Sequence, residues 1–401
     1  MISSVALSGM ICLWASSYFT RTTAALVVSY LMILPLAMAG VLLWNSLAEA
    51  GAIQQAGRLR LIVLTTVVPA GCAAAIAVLW ADCCRRLLRP PDLGAGGKQA
   101  IDLETEAREA VGLYIERDRI PDKWFAPAKR TTFLADNVNP IYDKEIRSEI
   151  FAQGTLMLRL VIQISMFLAI AVMAACLFFW PQWAAWYVAY VLLFNLLVGP
   201  VFSANSITSE RERATLDLLL TTLITPWQML WGKLLSGLRV SVVLTGFLCW
   251  ALALACLMPG LGFWWNLPTM AGYFLIVAAA AATTAISAMM CSILFRKSST
   301  SLMASYLWLT VMFLAPIAAM VFVAQFARGT TAEQIVTAVQ ITSPFAAAFS
   351  LPLHFESSSG SIASAGHIGI FWGYLAFAAV YNVLLLIAMT RLIAVRWQVS
   401  E

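Results

Sequence analysis

The sequence predicts an all-α membrane protein, a polytopic helical bundle of about nine transmembrane helices. Three observations lead there. Of the 401 residues, 61% are hydrophobic and only 11% charged, against about 25% charged in soluble domains. Apolar runs of about 18 residues or more, long enough to cross a bilayer as helices, recur along the chain. The charges, by contrast, are crowded: residues 85–150 hold 12 of the 25 basic and 12 of the 20 acidic residues.

Taken in order, the apolar runs place spans at roughly 1–19, 24–45 and 61–82, then at 157–179, 184–204, 229–257, 269–295, 302–326 and 368–393. Nine spans put the two chain ends on opposite sides. Ten Lys or Arg follow residue 151; nine share one set of loops and span ends, and only Arg328 falls on the other. The positive-inside rule then predicts a cytoplasmic 205–233 hairpin, Arg296–Lys297 loop and C-terminus, in a cell (inner) membrane. Trp180, Trp183, Trp186, Trp264, Trp265 and Trp372 are expected at the outer interface, Trp231 and Trp397 at the inner one.

Between the third and fourth spans, residues 85–138 read as a charged cytoplasmic linker. Gly94 to Gly97 is a flexible break, and Ile101 to Arg119 reads as a surface helix of alternating charge. Asn139-Pro140 then opens the run NPIYDKEIRSEI, a short helix with Tyr142, Ile146 and Ile150 on one face. Asp143, Arg147 and Lys144 lie away from that face, which suits a helix lying in the plane of the membrane lipid.

The most informative polar stretch is Asn205 to Lys233, NSITSERERATLDLLLTTLITPWQMLWGK. Ser209 and Glu212 have the S-x-x-E spacing of a capping box. Leu216, Leu219, Leu220 and Leu223 follow at i, i+3, i+4 and i+7, one apolar stripe of a helix expected to run to about Ile224. Arg213, Asp217 and Thr221 recur every four residues opposite it. A second start follows, with Thr225 as cap, Pro226 at the first helical position and Gln228 three residues after the cap. Read blandly, this is an interfacial helix resting its leucines on lipid headgroups.

Several chemistries are missing from the sequence. No Asp or Glu lies deep in a span, Asp82 being near a span end, which argues against a proton- or sodium-driven carrier. Asn195, Gln163 and Asn382 are polar positions within spans, read as interhelical hydrogen-bonding groups. The eight cysteines lack metal-ligand spacing, and His354 and His367 stand thirteen apart with no zinc motif. There is no nucleophile motif and no phosphate-binding glycine loop, so ATP hydrolysis would need a separate chain. No cofactor and no nucleic-acid partner is expected.

SITSERERATLDLLLTT followed by TPWQMLWGKLL closely resembles the coupling segment of ABC export permeases of the type-2 class. NPIYDKEIRSEI resembles the opening segment of the same family, and SPFAAAFSLPL its element between the fifth and sixth spans, often a short re-entrant helix. The resemblance implies that Glu210, Glu212, Thr215, Leu216, Leu219, Leu220, Gly232 and Lys233 stand at family positions. With Arg211, Arg213 and Leu223 they would form the helix that docks in a groove of a cytoplasmic ABC ATPase subunit. Ala214 replaces the family's Gly, a change expected to favour the helix and be harmless. Leu223 stands where the family has a Pro.

An internal repeat extends this reading. ALSGMIC at Ala6 aligns with AISAMMC at Ala285, and FTRTTAALVVSYL at Phe19 with FRKSSTSLMASYL at Phe295. The chain then divides into 1–84, a partial permease unit of three spans, the 85–138 linker, and 139–401, a complete six-span unit. That pattern leads to the expectation that the reading frame extends upstream, or that the chain pairs with a second permease copy. The functional expectation is the permease subunit of an ATP-driven exporter, with a non-transporting membrane scaffold or assembly factor as the alternative.

Overall fold

The computed structural model describes residues 2–18, 22–49, 66–88, 139–148, 167, 170–179, 183–212, 214–216, 219, 224–257, 266–326, 331–352 and 368–399. These form helices and turns, with no strand among the described residues. Long helices that are apolar on every side follow from the composition. In hydrocarbon each backbone N–H and C=O must be satisfied within the segment, and a helix does that.

Two compact units emerge: Met1–Ile33 with Leu43–Phe133 and Ile146–Arg159, and Leu34–Leu42 with Leu134–Glu145 and Leu160–Glu401. In the first, α1 (Ile2–Tyr18) packs along α3 (Val68–Leu88), with α2 (Thr22–Glu49) between them in sequence. Asp82 of α3 accepts hydrogen bonds from Trp14 Nε1 at 2.8 Å and Tyr18 OH at 2.9 Å. The Arg86 guanidinium lies 3.2 Å above the Tyr18 ring. The acid near a span end is thus a link between two helices.

The second unit holds α4 (Pro140–Ser148), α5 (Ala184–Ser203), α6 (Thr208–Glu212), α7 (Pro226–Leu257), α8 (Leu267–Leu294) and α9 (Ser298–Phe326). It closes with α10 (Thr331–Val339), α11 (Pro344–Ser350) and α12 (Ile368–Val399). Among the described residues, α3, α5, α7, α8, α9 and α12 are long and apolar enough to cross a membrane. The expected spans at 1–19 and 24–45 are helical as α1 and α2; the third is helical over Val68–Leu88, six residues past its expected end. Of the span at 157–179, residues 170–179 are helical and finish in a π-helical turn, Ala174–Phe179. Residues 89–138 of the 85–138 linker, Gln163, the two histidines and Trp180, Trp264 and Trp265 lie outside the described residues, as does the side chain of Trp397.

At the centre, α8 packs against α5, α7, α9 and α12. Gly199 of α5 makes the closest approach possible: a Cβ there would stand 2.7 Å from Thr284 Oγ1 of α8. Small residues at a crossing are how membrane helices gain contact area without a hydrophobic driving force. Hydroxyls and amides tie the layers together, as expected for Asn195 and Asn382. Ser241 donates to Asn195 Oδ1 at 3.3 Å, Asn382 Nδ2 to Thr283 Oγ1 at 3.1 Å and Tyr306 OH to the Leu197 carbonyl at 2.6 Å. The outer faces of α9 and α12, with Leu307 and Val380 exposed, suit contact with lipid.

At the end remote from α6, Pro316 lies within α9, which runs on through it. A proline has no N–H, so the carbonyl four residues back loses its helical partner. That carbonyl, Met312, lies 3.3 Å from Thr342 Oγ1, and its neighbour Phe313 accepts from Ser343 Oγ at 2.6 Å. Ser343 is also the cap of α11, accepting from the Ala346 amide, and Pro344 follows at the first helical position. The SPFAAAFS run is therefore a short, partly buried helix, seated beside the proline turn of its neighbour. An apolar pocket of about 540 Å³ lies alongside, lined by Met312, Pro316, Val339, Phe377 and Tyr381 among others.

Candidate functional site

The hairpin between α5 and α7 carries Glu210, Arg211 and Glu212, with Lys233 following in α7. After α5 the chain turns through Ala204–Ile207 into α6. The first free amides of α6 find a partner on another helix: Ile207 N and Thr208 N both donate to Ser292 Oγ of α8, each at 3.0 Å. Ser301 Oγ of α9 donates to the Ala204 carbonyl at 2.9 Å. The expected capping box within α6 is thereby displaced. Glu212 points instead at the start of α9, where Oε1 accepts from Ser298 N at 2.6 Å and Oε2 from Ser298 Oγ at 2.9 Å.

The helix expected to reach Ile224 stops at once. Ala214 has φ 55°, the left-handed region. Its N–H bonds to the Arg211 carbonyl at 3.1 Å, and Thr215 N–H bonds to the Glu210 carbonyl at 2.9 Å. That pair of bonds is a Schellman ending, which wants Gly at the left-handed position. The harmless exchange of Gly for Ala is thus corrected: a Cβ there costs about 1 kcal/mol of backbone strain. The chain turns helical again at Leu216, with Leu219 N–H bonded to the Thr215 carbonyl at 3.1 Å. Leu216 packs inward against Ile207, Leu230, Leu234 and Met289, whereas Leu219 is half-exposed. Arg213, Asp217, Leu220, Thr221 and Leu223 lie outside the described residues.

The second helix start forms as read. Thr225 N–H donates to Gln228 Oε1 at 3.2 Å and Gln228 N–H to Thr225 Oγ1 at 3.3 Å, the reciprocal bonds of a capping box. Two turns on, Gly232 and Lys233 meet α4. A Cβ on Gly232 would stand 3.0 Å from Asn139 Nδ2 and 3.2 Å from Ile141 Cβ, so glycine is what lets α4 lie against α7. Asn139 caps α4, accepting from Ile141 N–H at 3.1 Å, and donates across to the Gln228 carbonyl at 2.7 Å. Ile141, Lys144 and Glu145 share the face of α4 turned to the hairpin. The Ile146 side chain and Ile150 lie outside the description.

Lys233 is buried, at 2% exposure, and its ammonium has three donors to place. They meet Glu145 Oε1 at 2.7 Å, the Ser206 carbonyl at 2.9 Å and Glu210 Oε1 at 3.4 Å. Glu210, at 8% exposure, also accepts from Lys144 Nζ at 2.9 Å and from the Thr215 hydroxyl. Burial pushes the Glu210 carboxyl up, but the Thr215 and Lys144 hydrogen bonds and the Lys233 and Lys144 charges outweigh it and hold it at about 2. Glu210 is therefore half of an internal clasp rather than a surface group. Arg211 turns the other way, donating to the Phe295 carbonyl at 2.7 Å and the Ile293 carbonyl at 3.4 Å at the end of α8.

Sequence reasoning named Glu210, Glu212 and Lys233 but missed their partners. Lys144 reads from sequence as part of the polar side of an in-plane helix, and Glu145, Ser292 and Ser298 carry no signal at all. The chemistry assembled is mechanical rather than catalytic. One five-residue helix holds α4 and α7 through Glu210 and the ends of α8 and α9 through Arg211 and Glu212.

Comparison with known families gives the context. The model of the ABC-2 family transporter protein matches residues 92–399. No curated protein matches the chain. With most of its length in that match, and with long apolar helices around a charged hairpin, the chain is a multi-pass membrane protein of the ABC-2 transporter family, a permease subunit of an ABC transporter.

Proposed function

We propose that the chain is the export permease that a separate cytoplasmic ABC ATPase drives through the hairpin at residues 209–223. The observation that carries this is the reach of α6, whose Glu210, Arg211 and Glu212 bond to four other helices. A contact that moves α6 by an ångström therefore moves all of them. Glu210 and Lys233 act from inside, holding the hairpin. Leu219, half-exposed beyond the Ala214 turn, is offered for a helix-in-groove contact. The hairpin side is cytoplasmic on this reading, and the remaining helix faces meet lipid or a second permease unit.

The same reading keeps 1–84 as a partial unit, 85–138 as a linker and 139–401 as a complete one. Support comes from the helix ends. α1 ends at Tyr18 and α2 resumes at Thr22; the aligned positions are Leu294 and Ser298, where α8 ends and α9 begins. α1 packs along α3, and α8 packs along α12.

The deciding experiment is purification of the tagged full chain from its own membranes. An ATPase with a phosphate-binding loop should accompany it, and Leu219→Asp should cut that recovery at least about tenfold, since a buried, unpaired carboxylate costs several kcal/mol. Leu216→Asp should instead weaken the fold, because Leu216 packs inward. Full recovery with Leu219→Asp overturns the docking role.

A further inference from the structure

We propose that Glu212 is a positioning residue that carries movement of α6 to α9, with Arg211 doing the same for α8; this rests on the coupling reading above. The facing ends of α8 and α9 lack side-chain caps of their own. A helix beginning needs acceptors or negative charge for its free amides, and a helix end needs donors or positive charge for its free carbonyls. The α9 start reads Phe295-Arg296-Lys297-Ser298, with two cations at the positive pole of the helix and no side-chain acceptor at the cap position, Lys297. The last turn of α8 holds no basic residue. Neither end is capped by a side chain of its own.

Both are capped from α6. Glu212 supplies the carboxylate at the first amide of α9, and Arg211 supplies the guanidinium at the last carbonyls of α8. Each charge has the sign its helix dipole favours. The start of α7, in contrast, is capped in cis by Thr225 and Gln228. α7 can therefore begin properly wherever the hairpin goes, while α9 begins properly only with α6 beside it. A cap supplied from another element is a mechanical link as well as a stabilising one.

The test separates link from cap. Three preparations of the full chain with its copurified ATPase are compared by hydrogen exchange: wild type, Glu212→Ala, and Glu212→Ala with Lys297→Asp, which returns an acidic cap to α9 in cis. Exchange is followed at residues 208–212 and 296–301 with and without a non-hydrolysable ATP analogue. Glu212→Ala should raise basal exchange at 298–300 roughly tenfold, the size of a lost cap, and should abolish the analogue-dependent change at 296–301. It should spare the change at 208–212. The double variant should restore basal protection but not the response. If the double variant restores both, Glu212 is only a cap and the proposal is wrong. If Glu212→Ala still responds at 296–301, the link does not exist. Absence of any ATPase from the wild-type preparation would sink the coupling reading, and this proposal with it.

Discussion

The two ends of the second unit are held by different physics. At the hairpin end, Lys144, Glu145, Glu210, Arg211, Glu212 and Lys233 make directional, charge-assisted bonds. At the opposite end the ties are neutral. Hydroxyls of Thr342, Ser343 and Thr269 donate to the carbonyls of Val339, Phe313 and Pro352. Side chains fill the rest: a Cβ on Gly272 would stand 3.0 Å from Leu351, and one on Gly373 would stand 3.1 Å from Ile341. Neutral hydrogen bonds contribute about 0.5–1.5 kcal/mol each and bonds to charged groups about 1.5–3. The hairpin end thus concentrates its stability in a few groups that can swap partners, whereas the far end spreads it over shape. An end that must respond to a partner is built from the first kind.

That contrast can be broken most sharply at Lys233. Lys233→Met leaves Glu145 and Glu210 facing each other without the buried cation between them. A loss of about 3–5 kcal/mol is expected, seen as a large fall in thermal midpoint of the detergent-purified protein; a shift within error would remove the clasp from the account. Acid attacks the same clasp more gently. Glu210 is held at about 2 in the folded protein, below the usual value near 4.5. A depressed acid adds stability that is complete above its unfolded value and disappears as pH falls from about 4.5 through about 2. Thermal midpoints should drop over that window, and Glu210→Gln should flatten the drop.

The far end should prove softer. Ser343→Ala removes both the α11 cap and the donor to Phe313, for an expected loss of about 2 kcal/mol that is insensitive to salt. A salt-dependent loss there would erase the distinction between the two ends. The smallest expected effect is a gain. Ala214→Gly relieves a Cβ in the left-handed region and should raise stability by about 1 kcal/mol or less, because glycine also loosens the unfolded chain. A loss on that exchange would mean the turn is not strained.

These residues also show what could be read from sequence. The all-α membrane class and the α7 start were legible because their causes are local: apolar length, and a cap and its partner three residues apart. The α6 capping box had the same local form and misled, because the Glu212 partner sits 86 positions away at Ser298. Helix propensity favours Ala over Gly, so the break at Ala214 was hidden; only the two carbonyls of the Schellman ending reveal why a glycine belongs there. The seat of α11 was invisible for a similar reason. The Met312 and Phe313 carbonyls and the hydroxyls that face them are thirty residues apart.

The chain order of the Lys233 partners has a consequence for how the protein is made. Glu145, Ser206 and Glu210 all precede Lys233, so the acceptors for its ammonium have already left the ribosome when α7 follows, and chains fold from the N-terminus as they emerge. The lysine need never wait in hydrocarbon uncompensated. Arg211 and Glu212 are in the opposite position, since their partners at Ile293, Phe295 and Ser298 are synthesised more than eighty residues later. Biosynthesis therefore closes the hairpin in two strokes: Lys233 fastens α4, α6 and α7 first, and the bolt to α8 and α9 slides home only when the α8–α9 hairpin arrives.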